Sequence, residues 1–290
     1  LERQTRRERP SRDGTVPVVQ LHHAKYRIST YNLEKINTKN YFDLTGKVAL
    51  VIGASSGLGR QFAKALANQG ASVAVAARRI EKLEETRAQV EELGAECIAV
   101  PCDVGDEKSI IDCISAVVEK FGKLDILCNN AGIIVWENLL HSTTEGWNRA
   151  MATNVTGAYI ASREAARVME KQGSGRIINT ASIAAHGGEA GSVSYYSSKA
   201  AIANLTRALA CELSPLGINV NAIAPGVFAT ELTASSIDSP MAEAQKAALP
   251  LRRFGREGEL DGILIYLASD ASSFCTGQVI YVDGGQTCKM

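Results

Sequence analysis

From residue 47 onward, short apolar runs alternate with longer stretches whose apolar positions recur at helical spacing. This pattern predicts repeated βαβ units around a parallel sheet. Strands are predicted over 47–52, 72–77, 96–102, 124–129, 176–180, 219–224 and 278–282, and helices over 58–69, 81–93, 106–121, 145–171, 195–214 and 257–268. The strand segments are nearly continuous in apolar residues rather than alternating, so both faces of the sheet must be covered by helices. The predicted fold class is α/β, a single doubly wound domain with a seven-stranded parallel sheet. No tandem repeat or low-complexity tract interrupts it.

With 290 residues, 46% hydrophobic and 21% charged, the chain can bury the core of one large domain or at most two small ones; disordered and fibrous classes are excluded. Lys+Arg and Asp+Glu both number 31, so net charge gives no case for nucleic acid or an anionic membrane as partner. The balance is uneven, because residues 1–40 carry nine basic and four acidic side chains, leaving 22 against 27 in the other 250. Composition changes sharply at Phe42-Asp43-Leu44-Thr45-Gly46-Lys47, which predicts a basic N-terminal extension over 1–41 and the main domain over 42–290.

The extension is Arg-rich, but Glu2, Glu8 and Asp13 argue against a mitochondrial presequence, and it reads as a flexible or partner-docked arm. Val16, Val18, Val19, Leu21, Tyr26, Ile28, Tyr31 and Leu33 suit docking across subunits. His22-His23 has no further ligand nearby and is read as solvated, so no metal is expected. Seven cysteines without CxxC pairs read as reduced, buried thiols rather than a disulfide frame. No apolar run approaches the roughly 20 residues that span a bilayer, and the N-terminus lacks an apolar leader core, so a cytoplasmic protein is expected.

Between the first predicted strand and helix lies Gly53-Ala54-Ser55-Ser56-Gly57-Leu58-Gly59, spaced GxxxGxG. Glycines there permit a tight turn and close approach of backbone to a pyrophosphate, and the helix N-terminus offers free N–H groups to the anion. The second strand ends Ala77-Arg78-Arg79, without the acid that would accept ribose hydroxyls of NAD. Arg78, with Arg79, instead supplies fork-shaped donors suited to a 2′-phosphate, so NADP(H) is favoured over NAD(H). Farther on, Tyr195-Tyr196-Ser197-Ser198-Lys199 opens a helical pattern that puts Tyr195 and Lys199 on one face. A cation about 5 Å from the phenol, at an effective dielectric near 20, contributes roughly 3 kcal/mol to its ionisation and brings it toward working range.

Ser182 precedes Tyr195 by thirteen residues; Asn129-Asn130-Ala131-Gly132 ends the fourth strand, Asn154 lies in Thr153-Asn154-Val155-Thr156-Gly157, and Asn221-Ala222-Ile223-Ala224-Pro225-Gly226 ends the sixth. Together with the closing run from Ser272 to Gly285, these motifs resemble the short-chain dehydrogenase/reductase (SDR) family over about residues 42–287. The resemblance implies a Rossmann-like fold and an NAD(P)(H)-dependent oxidoreductase that interconverts a ketone and a secondary alcohol. It makes Tyr195 the general acid and base, has Ser182 hydrogen-bond the same substrate oxygen, has Lys199 bind the nicotinamide ribose and lower the phenol, and has Asn154 hold a water in a proton relay. It also implies pyrophosphate on Gly53–Gly59 (including Ser55, Ser56, Gly57 and Leu58), adenine beside Asp103 and Val104, a ribose near Asn130, Ala131 and Gly132, and nicotinamide against Pro225, Gly226, Phe228 and Thr230. A homotetramer, paired through the Tyr195 helix and the last strand, is implied as well. Ile52 departs from the family's usual Thr, removing an expected hydrogen bond toward the 129–132 turn.

The segment 227–255 is implied to hold a substrate lid. Ile133, Val135, Trp136, Val193, Phe228, Leu232, Ile237, Met241 and Leu249 are candidate pocket walls, suited to a bulky hydrophobic ketone such as a steroid, as in hydroxysteroid dehydrogenase-like members. Arg252 and Arg253 suit instead a carboxylate, as in gluconate 5-dehydrogenase-like members. His186 is read as a wall residue, and Tyr196 as an aromatic beside the site or packing against a neighbouring chain. A non-catalytic cofactor sensor is the alternative of another class, and enoyl reduction is disfavoured by the three-residue gap between Tyr195 and Lys199.

Overall fold

The structure is a computed structural model that describes residues 40–231, 233 and 240–289. Residues 1–39 of the extension, with His22-His23 and its apolar positions, lie outside the described residues, as do Leu232, Ile237 and the Met241 side chain.

Seven strands form one parallel sheet: β1 (Val48–Ile52), β2 (Ser72–Ala77), β3 (Cys97–Pro101), β4 (Ile126–Asn129), β5 (Gly175–Thr180), β6 (Ile218–Pro225) and β7 (Val279–Val282), in the order β3-β2-β1-β4-β5-β6-β7. The helices are α1 (Gly57–Asn68), α2 (Ile80–Glu91), α3 (Glu107–Phe121), α4 (Thr144–Met151), α5 (Gly157–Gln172), α6 (Val193–Leu213), α7 (Pro240–Ala248) and α8 (Asp261–Ala268). The period-two geometry of a strand divides β1 between two cores. Ala49 and Val51 join Phe62 and Leu66 of α1 and Leu264 of α8, while Val48, Leu50 and Ile52 join Ile110 and Val117 of α3 and Met169 of α5. Every residue of β1 is therefore buried, which explains its unbroken apolar run.

The order of strands reverses between β1 and β4, and such a switch point opens a crevice at the carboxyl ends of the strands. Register sets those ends side by side: Ile52 pairs with Asn129, Asn129 with Asn179, and Thr180 with Ile223.

Three differences from the sequence pattern bear on the crevice. The predicted helix over 145–171 is α4 and α5 separated by a π-helical turn at Ala152–Thr156. That turn inserts an extra residue into the helix. It turns Asn154 inward, where its amide oxygen accepts from Ile133 N–H at 2.8 Å and its amide nitrogen donates to the Ile133 carbonyl at 2.9 Å. The second difference is α7, nine residues with no clear apolar periodicity in a stretch read as irregular. The third concerns the thiols: Cys97, Cys102, Cys113 and Cys128 are buried as expected, but Cys211 and Cys288 are exposed.

Candidate active site

The loop from β1 to α1 turns at Gly53, whose φ of +87° suits glycine, and a Cβ there would lie 2.6 Å from Ala131 N. A Cβ on Gly59 would collide with the Gly53 carbonyl, so α1 can start beneath the loop only with glycine at that position. Ile52 leaves no side-chain bond to the neighbouring turn, yet the two loops stay tied. Asn130 N–H donates to the Ile52 carbonyl at 3.0 Å, and the Asn130 amide donates to the Gly53 carbonyl at 3.1 Å.

A cavity of about 1600 Å³ runs over this loop. It is lined by Ser55, Ser56, Gly57, Leu58, Arg78, Arg79, Asp103 and Val104, by Asn130, Ala131 and Gly132, and by Ser182, Tyr195, Lys199, Pro225, Gly226, Phe228 and Thr230, the last lying against Gly57. Of the predicted site residues, only Gly59 and Asn154 do not line it. Gly59 sits under the loop, and Asn154 stands behind Gly132, where a Cβ would be 3.5 Å from both Asn154 Oδ1 and Lys199 Nζ.

Ser182 follows β5 and caps a short 3-10 turn, with Ala184 N–H donating to its hydroxyl at 3.1 Å. Lys199 and Tyr195 stand one turn apart on α6, the ammonium 5.7 Å from the phenol ring centroid. Lys199 Nζ donates to the Thr180 carbonyl at 2.8 Å and is buried. The Asn154 amide also donates to Ser198 Oγ at 2.9 Å, linking the π turn to α6.

The electrostatics correct one expectation. Burial raises the Tyr195 phenol above its ordinary value, and the bond with Ser182 is what acts the other way. Burial also pushes the Lys199 ammonium down to about 8, so it stays mostly protonated at neutrality and loses its proton just above it.

Other sequence readings are partly relocated. Ile133, Trp136, Phe228 and Leu249 line the cavity, whereas Val135 and Val193 do not. Arg252 and Arg253 are not in it, and Arg253 is spent on a bidentate pair with Glu259 at 2.8 and 2.6 Å. His186 packs edge-on against Tyr281, ring centroids 5.8 Å apart. Tyr196 lines the cavity and donates to Glu189 at 2.9 Å. Glu189, Glu231, Gln245 and Gln286 line the cavity too, and nothing in their sequence context singled them out.

Residues 53–287 match the family profile described as Enoyl-(Acyl carrier protein) reductase. The chain is 36% identical over 250 residues to gluconate 5-dehydrogenase of Gluconobacter oxydans (strain 621H), spanning 86% of this chain and 98% of that relative. It is 37% identical to 3-oxoacyl-(acyl-carrier-protein) reductase FabG of Staphylococcus aureus (strain Mu50), spanning 82% and 97%. This chain belongs to the short-chain dehydrogenase/reductase family. Among solved structures, a gluconate 5-dehydrogenase from Burkholderia cenocepacia J2315 in complex with NADP and tartrate superposes with a TM-score of 0.82 at 32% identity, covering 86% of this chain and 98% of that one. A 7α-hydroxysteroid dehydrogenase complexed with NADH and 7-oxo glycochenodeoxycholic acid gives 0.81 at 33% identity, covering 84% and 96%.

Family membership makes this SDR an NAD(P)-dependent oxidoreductase acting on CH–OH groups. The residues present fit that cofactor, since Gly53 and Gly59 let the loop fold tightly against the 129–132 turn and the start of α1, and Ser55, Ser56 and Arg79 converge where the loop lines the cavity. Among the described residues, no helix is long and apolar enough to cross a membrane.

Proposed function

We propose that this enzyme interconverts a ketone and a secondary alcohol on a bulky, neutral, hydrophobic molecule such as a steroid, with NADP(H) favoured over NAD(H). The observation that carries the substrate reading is the make-up of the cavity beyond Tyr195. Trp136, Ile183, Val227, Phe228, Leu249 and Phe254 supply apolar surface there, and the cations that line the cavity among the described residues are Arg78, Arg79 and Lys199. A carboxylate at the substrate end would meet Glu189 and no guanidinium, an uncompensated desolvation that a neutral ketone avoids.

In this reading a bound nicotinamide supplies the hydride for reduction. Tyr195 Oη gives its proton to the developing alkoxide and takes it back in oxidation, while the Ser182 hydroxyl donates to the same oxygen and fixes its position. Lys199 binds the nicotinamide ribose. With its proton labile near pH 8, it would return a proton toward Tyr195, and a water held at Asn154 would replenish it. Residues 53–59 would hold the pyrophosphate, Asp103 and Val104 the adenine, and Arg78, Arg79 and the serine hydroxyls, which line the cavity, the 2′-phosphate.

A second reading, a sugar-acid or polyol dehydrogenase, draws on the gluconate 5-dehydrogenase relative and on polar groups at the substrate end. Gln286 Oε1 is buried and accepts no hydrogen bond among the described residues, a place for a substrate hydroxyl. A turnover screen with NADPH and NADH against steroid ketones, keto sugar acids and small aryl ketones separates the readings. Steroid ketones should respond best; turnover of keto sugar acids alone overturns the first reading.

A further inference from the structure

Past β6 the chain turns at Phe228, where Thr233 Oγ1 donates to the Phe228 carbonyl at 2.6 Å and Thr230 N–H donates to Thr233 Oγ1 at 3.0 Å. This tight turn presses Thr230 onto the glycine loop, its Cβ only 3.2 Å from where a Cβ on Gly57 would stand. The next residue, Glu231, thereby reaches across the mouth of the cavity to the serines. Its Oε2 accepts from Ser56 Oγ at 2.8 Å and from Arg79 Nη2 at 2.9 Å. The same Nη2 lies 3.0 Å from both Ser55 Oγ and Ser56 Oγ.

The pair is no structural brace. The Arg79 and Glu231 side chains are 49% and 53% exposed, and exposed pairs contribute little to stability. What they form is a pair of donors, Arg79 and Ser56, on one anionic oxygen, with Ser55 Oγ accepting from the same guanidinium, at the end of β2 where the sequence has Ala77 and no acid. Hydrogen bonds from Arg79 and Ser56 hold the Glu231 carboxyl below its usual range, so it is an anion throughout the neutral region.

We propose that Glu231 is a cofactor-specificity residue whose carboxylate contests the Arg79 and Ser56 donors with the cofactor's 2′-phosphate. A 2′-phosphate must displace this carboxylate and then lie beside its charge, which costs affinity. A ribose 2′-hydroxyl needs an acceptor, and Glu231 Oε2 supplies one from beyond β6 in place of the acid missing from β2. Glu231 therefore narrows the preference that Arg78 and Arg79 set and admits NAD(H). The inference rests on the reading that the Arg79 end of the cavity receives the 2′-phosphate.

Calorimetric titration of the full chain with 2′,5′-ADP and with 5′-AMP tests it without turnover. In E231Q, 2′,5′-ADP should tighten about tenfold or more while 5′-AMP stays level or weakens. The gain should vanish in the R79A/E231Q double variant. The ratio of kcat/KM for NADPH over NADH should rise in E231Q by the same factor. If R79A weakens 2′,5′-ADP selectively but E231Q leaves both ligands unchanged, the phosphate reading stands and the role given to Glu231 falls. If R79A has no selective effect, both fall.

Discussion

At the scale of single residues, the site holds two ionisable groups that burial pushes in opposite directions, the phenol up and the ammonium down. Tyr195→Phe removes the proton donor while leaving the ring, so turnover should drop about a hundredfold to ten-thousandfold, with cofactor binding by fluorescence titration unchanged. Wild-type-like turnover would end the assignment. Lys199 gives a test in stability. The unfolded lysine keeps its proton to about 10.4, the folded one only to about 8, so between these values the unfolded state binds more protons and stability rises with pH. Relative to Lys199→Met, the wild-type protein should gain about 2 kcal/mol from pH 8 to pH 10 in denaturant titrations. A flat difference would show that the ammonium is not desolvated. Residues of this kind were legible in the sequence because their spacing is fixed by one helix and one strand end. Glu231 was not, because a carboxylate on an irregular segment carries no periodicity, and its partners lie 152 and 175 positions away.

At the scale of elements, all seven strands were legible from their apolar runs, which are unbroken in β1, where every residue is buried, and their ends fell within two residues of the pattern. The pattern failed where one residue shifts a helix. Apolar spacing over 145–171 does not register the insertion at Ala152–Thr156, since α4 and α5 are each regular on their own. It also failed at α7, whose alanines are helix formers without an apolar stripe. The two cores predict where stability is concentrated. Phe62 of α1 is fully buried against β1 and α8, so Phe62→Ala should cost about 3–5 kcal/mol, lowering the melting temperature by roughly 10 °C or more. A change of a degree or two would mean that α1 is not part of the cooperative core.

At the scale of the whole molecule, the expectation of a homotetramer gives a mass in solution of about 124 kDa for a 30.9 kDa chain, to be read by light scattering. If the basic extension docks across subunits, removing residues 1–40 should lower both melting temperature and mass; unchanged values dismiss that role. The cavity itself is assembled from segments scattered between Ile52 and Gln286, brought together where the strand order reverses. This has a consequence for biosynthesis. A ribosome that has just made the glycine loop needs roughly 10 to 35 s more to reach Glu231 at ordinary elongation speeds. During that interval Arg79, Asp103 and Asn130 are made while Glu231 is not, so the nascent chain carries the Arg79 and Ser56 donors before it carries the carboxylate that occupies them.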